Sequence, residues 1–139
     1  TIGHVHSGAL GWVAFIVFGS LYYLIPVLWN RKALYSVRLV AWHYWIATLG
    51  IVLYIVAMWV AGIMEGLMWR AYDKFGFLQY SFVESVVAIH PFFVIRLLGG
   101  VFFLIGGLLM VFNVFMTITS ESTERPRERL IAPAVLAGA

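Results

Sequence analysis

The sequence predicts an all-α membrane fold built from three transmembrane helices. Composition is the first reason: 63% of the 139 residues are hydrophobic, 17% are aromatic and 11% are charged, with a mean hydropathy of +0.97, well beyond the apolar content of soluble domains. Run length is the second. Three apolar stretches, roughly Gly3 to Leu28, Leu39 to Met68 and Phe92 to Ile118, each exceed the about 20 residues that cross a hydrocarbon core at 1.5 Å per residue. The third is the placement of charge, which gathers between and after these runs and so suits orientation in a bilayer. A nucleic-acid reader would need a basic face, and none is visible.

The first run opens at Thr1 without an initiator Met, a basic n-region or a small-residue cleavage site, so it is not a signal peptide. It reads as a chain cut open at its N-terminus. Its connection to the second run, Trp29 to Arg38, holds Arg31, Lys32 and Arg38, and the tail after Thr119 holds Arg125, Arg127 and Arg129. Both are expected in the cytoplasm, which places the second connection, and the head of the first helix, near the outer face. Within that second connection "YSFVESVVAIHPF" reads as a short amphipathic surface helix, with Pro91 starting the third transmembrane helix. The expected organisation is one membrane unit over residues 1–119 and a disordered cytoplasmic tail over residues 120–139, which mixes both charges with Pro126 and Pro133.

No cysteine occurs, which excludes disulfides, thiolate metal sites, iron–sulfur clusters and covalent c-type heme attachment within this chain. Histidine is then the metal ligand to look for, and the chain begins "TIGHVHSG". Residues two apart on a helix point about 200° apart, so His4 and His6 cannot chelate one ion. Either they serve two centres on opposite flanks of the helix, as axial imidazoles do for heme iron, or they are interfacial residues at a helix end.

The longer stretches "TIGHVHSGALGWVAFIVFGSLYYLIPVLWNR", "LVAWHYWIATLGIVLYIVAMWVAGIMEGLMWR" and "YSFVESVVAIHPFFVIRLLGGVFFLIGGLLMVFNVFMT" together resemble the last three helices of the heme-copper catalytic subunit, subunit I, of cbb3-type cytochrome c oxidases. The resemblance runs to about Thr119 and implies a C-terminal portion of a bundle of about twelve helices, multi-pass in a bacterial inner membrane. It implies that His4 is the proximal ligand of the high-spin heme b and His6 an axial ligand of the low-spin heme b, with Val5 between them and the two hemes as neighbours. The implied activity of the whole subunit is cytochrome c oxidase: oxygen is reduced to water with electrons from cytochrome c, coupled to proton translocation. The second low-spin ligand, the copper ligands and the active-site tyrosine belong in that family to earlier helices, which nothing here resembles. Copper therefore belongs to the full subunit, and this segment alone is not expected to be active. Implied partners are c-type cytochrome subunits of the complex and the lipid bilayer.

Other polar residues have two readings each. Arg96 in "HPFFVIRLLGG" suits a heme propionate as a bidentate donor, or snorkels to the interface. His90 precedes Pro91 and reads as a helix-start residue, while His43 in "WHYW" lies at the far end from the hemes and is not assigned as a ligand. Glu65 is a carboxylate inside an apolar run and Glu84 a surface-helix carboxylate; neither is given a catalytic role. Asn113 must find a hydrogen-bond partner inside the bundle, and the glycines at 62, 66, 99, 100, 106 and 107 read chiefly as helix-packing positions. A nitric oxide reductase large subunit is the alternative within the superfamily, disfavoured because "SGAL" after the histidines offers no acidic residue. A heme-free membrane scaffold or transporter segment is the alternative outside it.

Overall fold

The computed structural model describes residues 1–120, so the tail expectation for the last nineteen positions lies outside the described residues. Three helices long and apolar enough to cross a membrane account for most of them: α1 (Ile2–Leu28), α2 (Val37–Met68) and α3 (Phe82–Thr119). The protein is an all-α, multi-pass membrane protein. α2 and α3 pack along much of their length, and α1 runs antiparallel beside α2, from Gly3 against Trp59 to Tyr22 against His43.

The α2–α3 seam is made of small residues. Gly50, Gly99 and Gly106 are buried beside Ala47, Ala57 and Ala61. Without a hydrophobic drive between helices in lipid, close backbone approach supplies the attraction. Of the six glycines expected to pack, only Gly99 and Gly106 do so. A Cβ on Gly62, Gly66, Gly100 or Gly107 would meet nothing within 4 Å. These four project away from the α2–α3 seam.

Each connection is fixed by local chemistry. α1 ends in a Schellman motif: Asn30 takes a left-handed φ of 53°, its N–H donates to the Val27 carbonyl at 3.1 Å, and Arg31 N–H donates to the Pro26 carbonyl at 2.7 Å. The loop that follows is tied to the end of α3. Asn113, fully buried, accepts from Ser36 N–H at 3.0 Å and donates to the Ser36 carbonyl at 2.9 Å. Thr117 accepts from Tyr35 N–H at 2.9 Å, and the Arg31 guanidinium donates to the Ile118 carbonyl. Asn113 thus finds its partner in a loop backbone rather than in another helix.

The second connection turns on Asp73, whose Oδ1 accepts from Phe75 N–H at 2.8 Å and Phe77 N–H at 2.9 Å, with Gly76 at a φ of 85° that glycine adopts without strain. α3 then begins ten residues earlier than the sequence suggests. No separate surface helix precedes it; the stretch is continuous with the membrane helix and Pro91 lies inside it. The reason is a capping box: Ser81 Oγ accepts from Glu84 N–H at 3.3 Å, while Glu84 Oε2 accepts from Ser81 N–H at 2.7 Å. That start signal outweighs Pro91, which an apolar membrane helix tolerates.

Candidate functional site

The head of α1 is pinned to the middle of α2. Gly3 is buried, and a Cβ there would stand 2.5 Å from Trp59 Cδ1 and 3.2 Å from Met58 Cβ, so only glycine lets the two helices meet at this point. The docking sets the depth of the histidines. Measured along α2, the His6 contact lies well short of the helix end: from Tyr54, which touches His6, α2 runs on about 21 Å to Met68 at 1.5 Å per residue.

His6 is half-buried, and its Nδ1 is 2.8 Å from the Ile2 carbonyl oxygen. A carbonyl only accepts, so Nδ1 carries the proton and donates. This fixes the tautomer and leaves the Nε2 lone pair as the free ligand atom, the arrangement that orients metal-binding imidazoles. The ring borders an open groove of about 560 Å³ between α1 and α3, lined also by Ile2, Tyr54, Arg96 and Gly100; that volume lies in the range of cofactor pockets. Gly100, where a side chain would meet nothing, keeps one wall low.

His4 is exposed and takes no part in that groove, so the two rings address different surroundings. Directly after His6 the helix widens into a π-helical segment, Ser7–Val13, before the α-helical Ala14–Leu28. Such segments concentrate at functional sites, and nothing in the residue pattern signals this one.

Arg96 lies on the groove with its guanidinium over the rings of Phe93, at 4.9 Å, and Tyr54, at 5.9 Å, and with Nη1 3.7 Å from Met58 Sδ. Its guanidinium is shared between two aromatic faces and a thioether, on the α2–α3 side of the groove. Sequence reasoning missed Tyr54, Phe93 and Met58 because aromatic and thioether side chains are common on any membrane helix. Their meeting depends on which faces of α2 and α3 oppose.

The remaining candidates fall elsewhere. His90 is exposed, six residues before Arg96 on α3, and Glu84 is taken up in the helix cap. Glu65 is half-buried near the end of α2. His43, 2% exposed, takes Nδ1 to 2.8 Å from the Tyr22 hydroxyl and stacks its ring edge-on at 4.8 Å from Phe18. Tyr22 is sixteen residues further along α1 than His6, about 24 Å, so His43 belongs to the opposite end of the bundle. Among the described residues, no cluster of three or more His, Cys, Asp or Glu is placed to hold a metal ion. A metal bound through His4 or His6 draws its other ligands from other groups.

The family model described as cytochrome C and quinol oxidase polypeptide I matches residues 1–102. Among curated proteins, the chain is 62% identical over 134 residues to a cytochrome c oxidase subunit 1 homolog of Azorhizobium caulinodans, covering 96% of this chain and 24% of the relative. It is 61% identical over 134 residues to a bacteroid cytochrome c oxidase subunit 1 homolog of Bradyrhizobium diazoefficiens, with 96% and 24% covered. It is 53% identical over 118 residues to the cbb3-type cytochrome c oxidase subunit CcoN1 of Stutzerimonas stutzeri, with 85% and 25% covered. The chain thus spans about a quarter of the length of the curated relatives it matches.

Proposed function

Because the chain belongs to the cytochrome c and quinol oxidase polypeptide I family, we propose that it forms part of the oxygen-reducing subunit of a cbb3-type cytochrome c oxidase in a bacterial inner membrane. The identity to the relative named as cbb3-type supports that subclass. In this reading His6 is an axial ligand of the low-spin heme b, His4 is the proximal ligand of the high-spin heme b, and Arg96 neutralises a heme propionate. The hemes supply the one-electron and oxygen chemistry when bound; copper and the remaining ligands come from the rest of the subunit. Electrons arrive from cytochrome c through c-type cytochrome subunits, and oxygen reduction drives proton translocation.

One observation carries the reading: His6 donates through Nδ1 to Ile2 and borders a groove that also holds a half-buried arginine. A half-buried cation inside a membrane segment is costly without a counter-charge, and a propionate is an anion of the right kind. The chain's own residues do three things there. The Ile2 carbonyl holds the His6 tautomer, Gly3 and Trp59 set the depth of both imidazoles, and Arg96 offers a charged donor to the groove.

The test is optical. In the assembled oxidase, His6→Ala should remove the low-spin b-type signal, while His4→Ala should remove the carbon monoxide-binding high-spin signal. Normal heme content in both variants would contradict the ligand assignments.

A further inference from the structure

Between the proposed ligand and the proposed propionate partner stands a residue with no role so far. Tyr54, in the middle of α2, sets its ring centroid 4.8 Å from that of His6, with the two planes tilted by 30°. The same ring carries the Arg96 guanidinium 5.9 Å from its centroid. Tyr54 therefore touches the groove's imidazole from α1 and its cation from α3 at once, and it lines the groove itself.

The physical need for such a residue is plain. A histidine held by one hydrogen bond at Nδ1 keeps freedom about its broad second side-chain torsion. A second face laid against the ring removes that freedom, and aromatic stacking is directional enough to do so. A cation over the same π-system is attracted to it, so Tyr54 also holds Arg96 at the groove. Orientation of an axial imidazole and charge close to the site are both levers on a heme's potential.

We propose that Tyr54 is a positioning residue that sets the plane of the His6 imidazole and ties it to Arg96. The inference rests on the reading of His6 as an axial heme ligand. Its test uses the assembled oxidase and two readouts other than turnover: the g values of the low-spin heme and its midpoint potential. Tyr54→Leu should shift and broaden the highest g value and lower the potential, because the imidazole gains freedom and the cation drifts from the groove. Tyr54→Phe, which keeps the ring, should hold wild-type values.

Wild-type values in both variants overturn the inference. So does a shift in Tyr54→Phe as large as that in Tyr54→Leu, which would assign the effect to the hydroxyl. Where Tyr54→Leu does not assemble, Tyr54→Met is read in its place. Failure of both to assemble makes Tyr54 a packing residue and counts against the proposal. His6→Ala separates the two levels: a retained low-spin heme there sinks the ligand reading itself, whereas its loss together with silent Tyr54 variants sinks only the present inference.

Discussion

Gly50 and Gly99 bring the backbones of α2 and α3 into direct contact. A Cβ on Gly50 would stand 2.6 Å from the Gly99 carbonyl oxygen, and one on Gly99 would stand 2.6 Å from the Gly50 carbonyl oxygen. Backbone cannot yield as a flexible side chain can, so Gly99→Ala should force the helices apart and destabilise the segment by about 1–3 kcal/mol. Gly107→Ala, which meets open space, should be neutral or slightly stabilising through helix propensity. Thermal denaturation of the two variants in detergent checks the contrast; equal midpoints would contradict the seam.

The Asn113 clamp makes a separate prediction. Asn113→Leu keeps the branched shape with added bulk and leaves the Ser36 N–H without its acceptor, a loss of about 1–3 kcal/mol when buried; the Ser36 carbonyl loses the Asn113 donor but, at the N-cap of α2, still accepts the first intrahelical bond. Because the clamp ties the first connection to α3, the variant should also speed proteolysis between Trp29 and Ser36. An unchanged cleavage rate would mean the loop is held by something else.

Ser81 tests where α3 begins. Ser81→Ala removes the acceptor for Glu84 N–H and half of the capping box, a loss of about 0.5–2 kcal/mol. Amide exchange at Glu84 and Ser85 should rise while exchange beyond Pro91 stays constant. Were the membrane helix to start at Pro91 instead, those two amides would already exchange fast in the unaltered protein.

Gly3 sets the position of both histidines through Trp59. Gly3→Leu should lower occupancy of both hemes together by pushing the head of α1 off α2, and Gly3→Leu with Trp59→Ala should restore part of it by opening space at the contact. Heme-to-protein ratios in the purified oxidase read this directly. Loss confined to one heme would argue against a shared displacement.

Much of the fold is legible in the residue order because span length and hydropathy are local quantities. Leu28 and Met68 end their helices where the apolar runs end. Two further local signals lie in the sequence: Asn30, suited to the left-handed position of a Schellman motif, and Ser81 followed three residues later by Glu84. The glycines could not be sorted, since Gly99 and Gly100 are adjacent and alike, and only the direction of α2 decides that the first packs while the second opens onto the groove. The site divides the same way. His4 and His6 on different flanks follow from helical geometry, but the depth of the pair depends on Gly3 meeting Trp59, fifty-six positions away. The Tyr54 contact with His6 and the burial of His43 against Tyr22 are likewise long-range facts that no spacing rule contains.

The central claim is that His6 Nε2 ligates the low-spin heme iron, and imidazole rescue tests it most directly. His6→Gly in the assembled oxidase should lose the low-spin spectrum and recover it when imidazole is added, because the free base can enter the space left by the side chain and bind the same iron. A His6→Gly enzyme that keeps its low-spin spectrum without imidazole would contradict the claim.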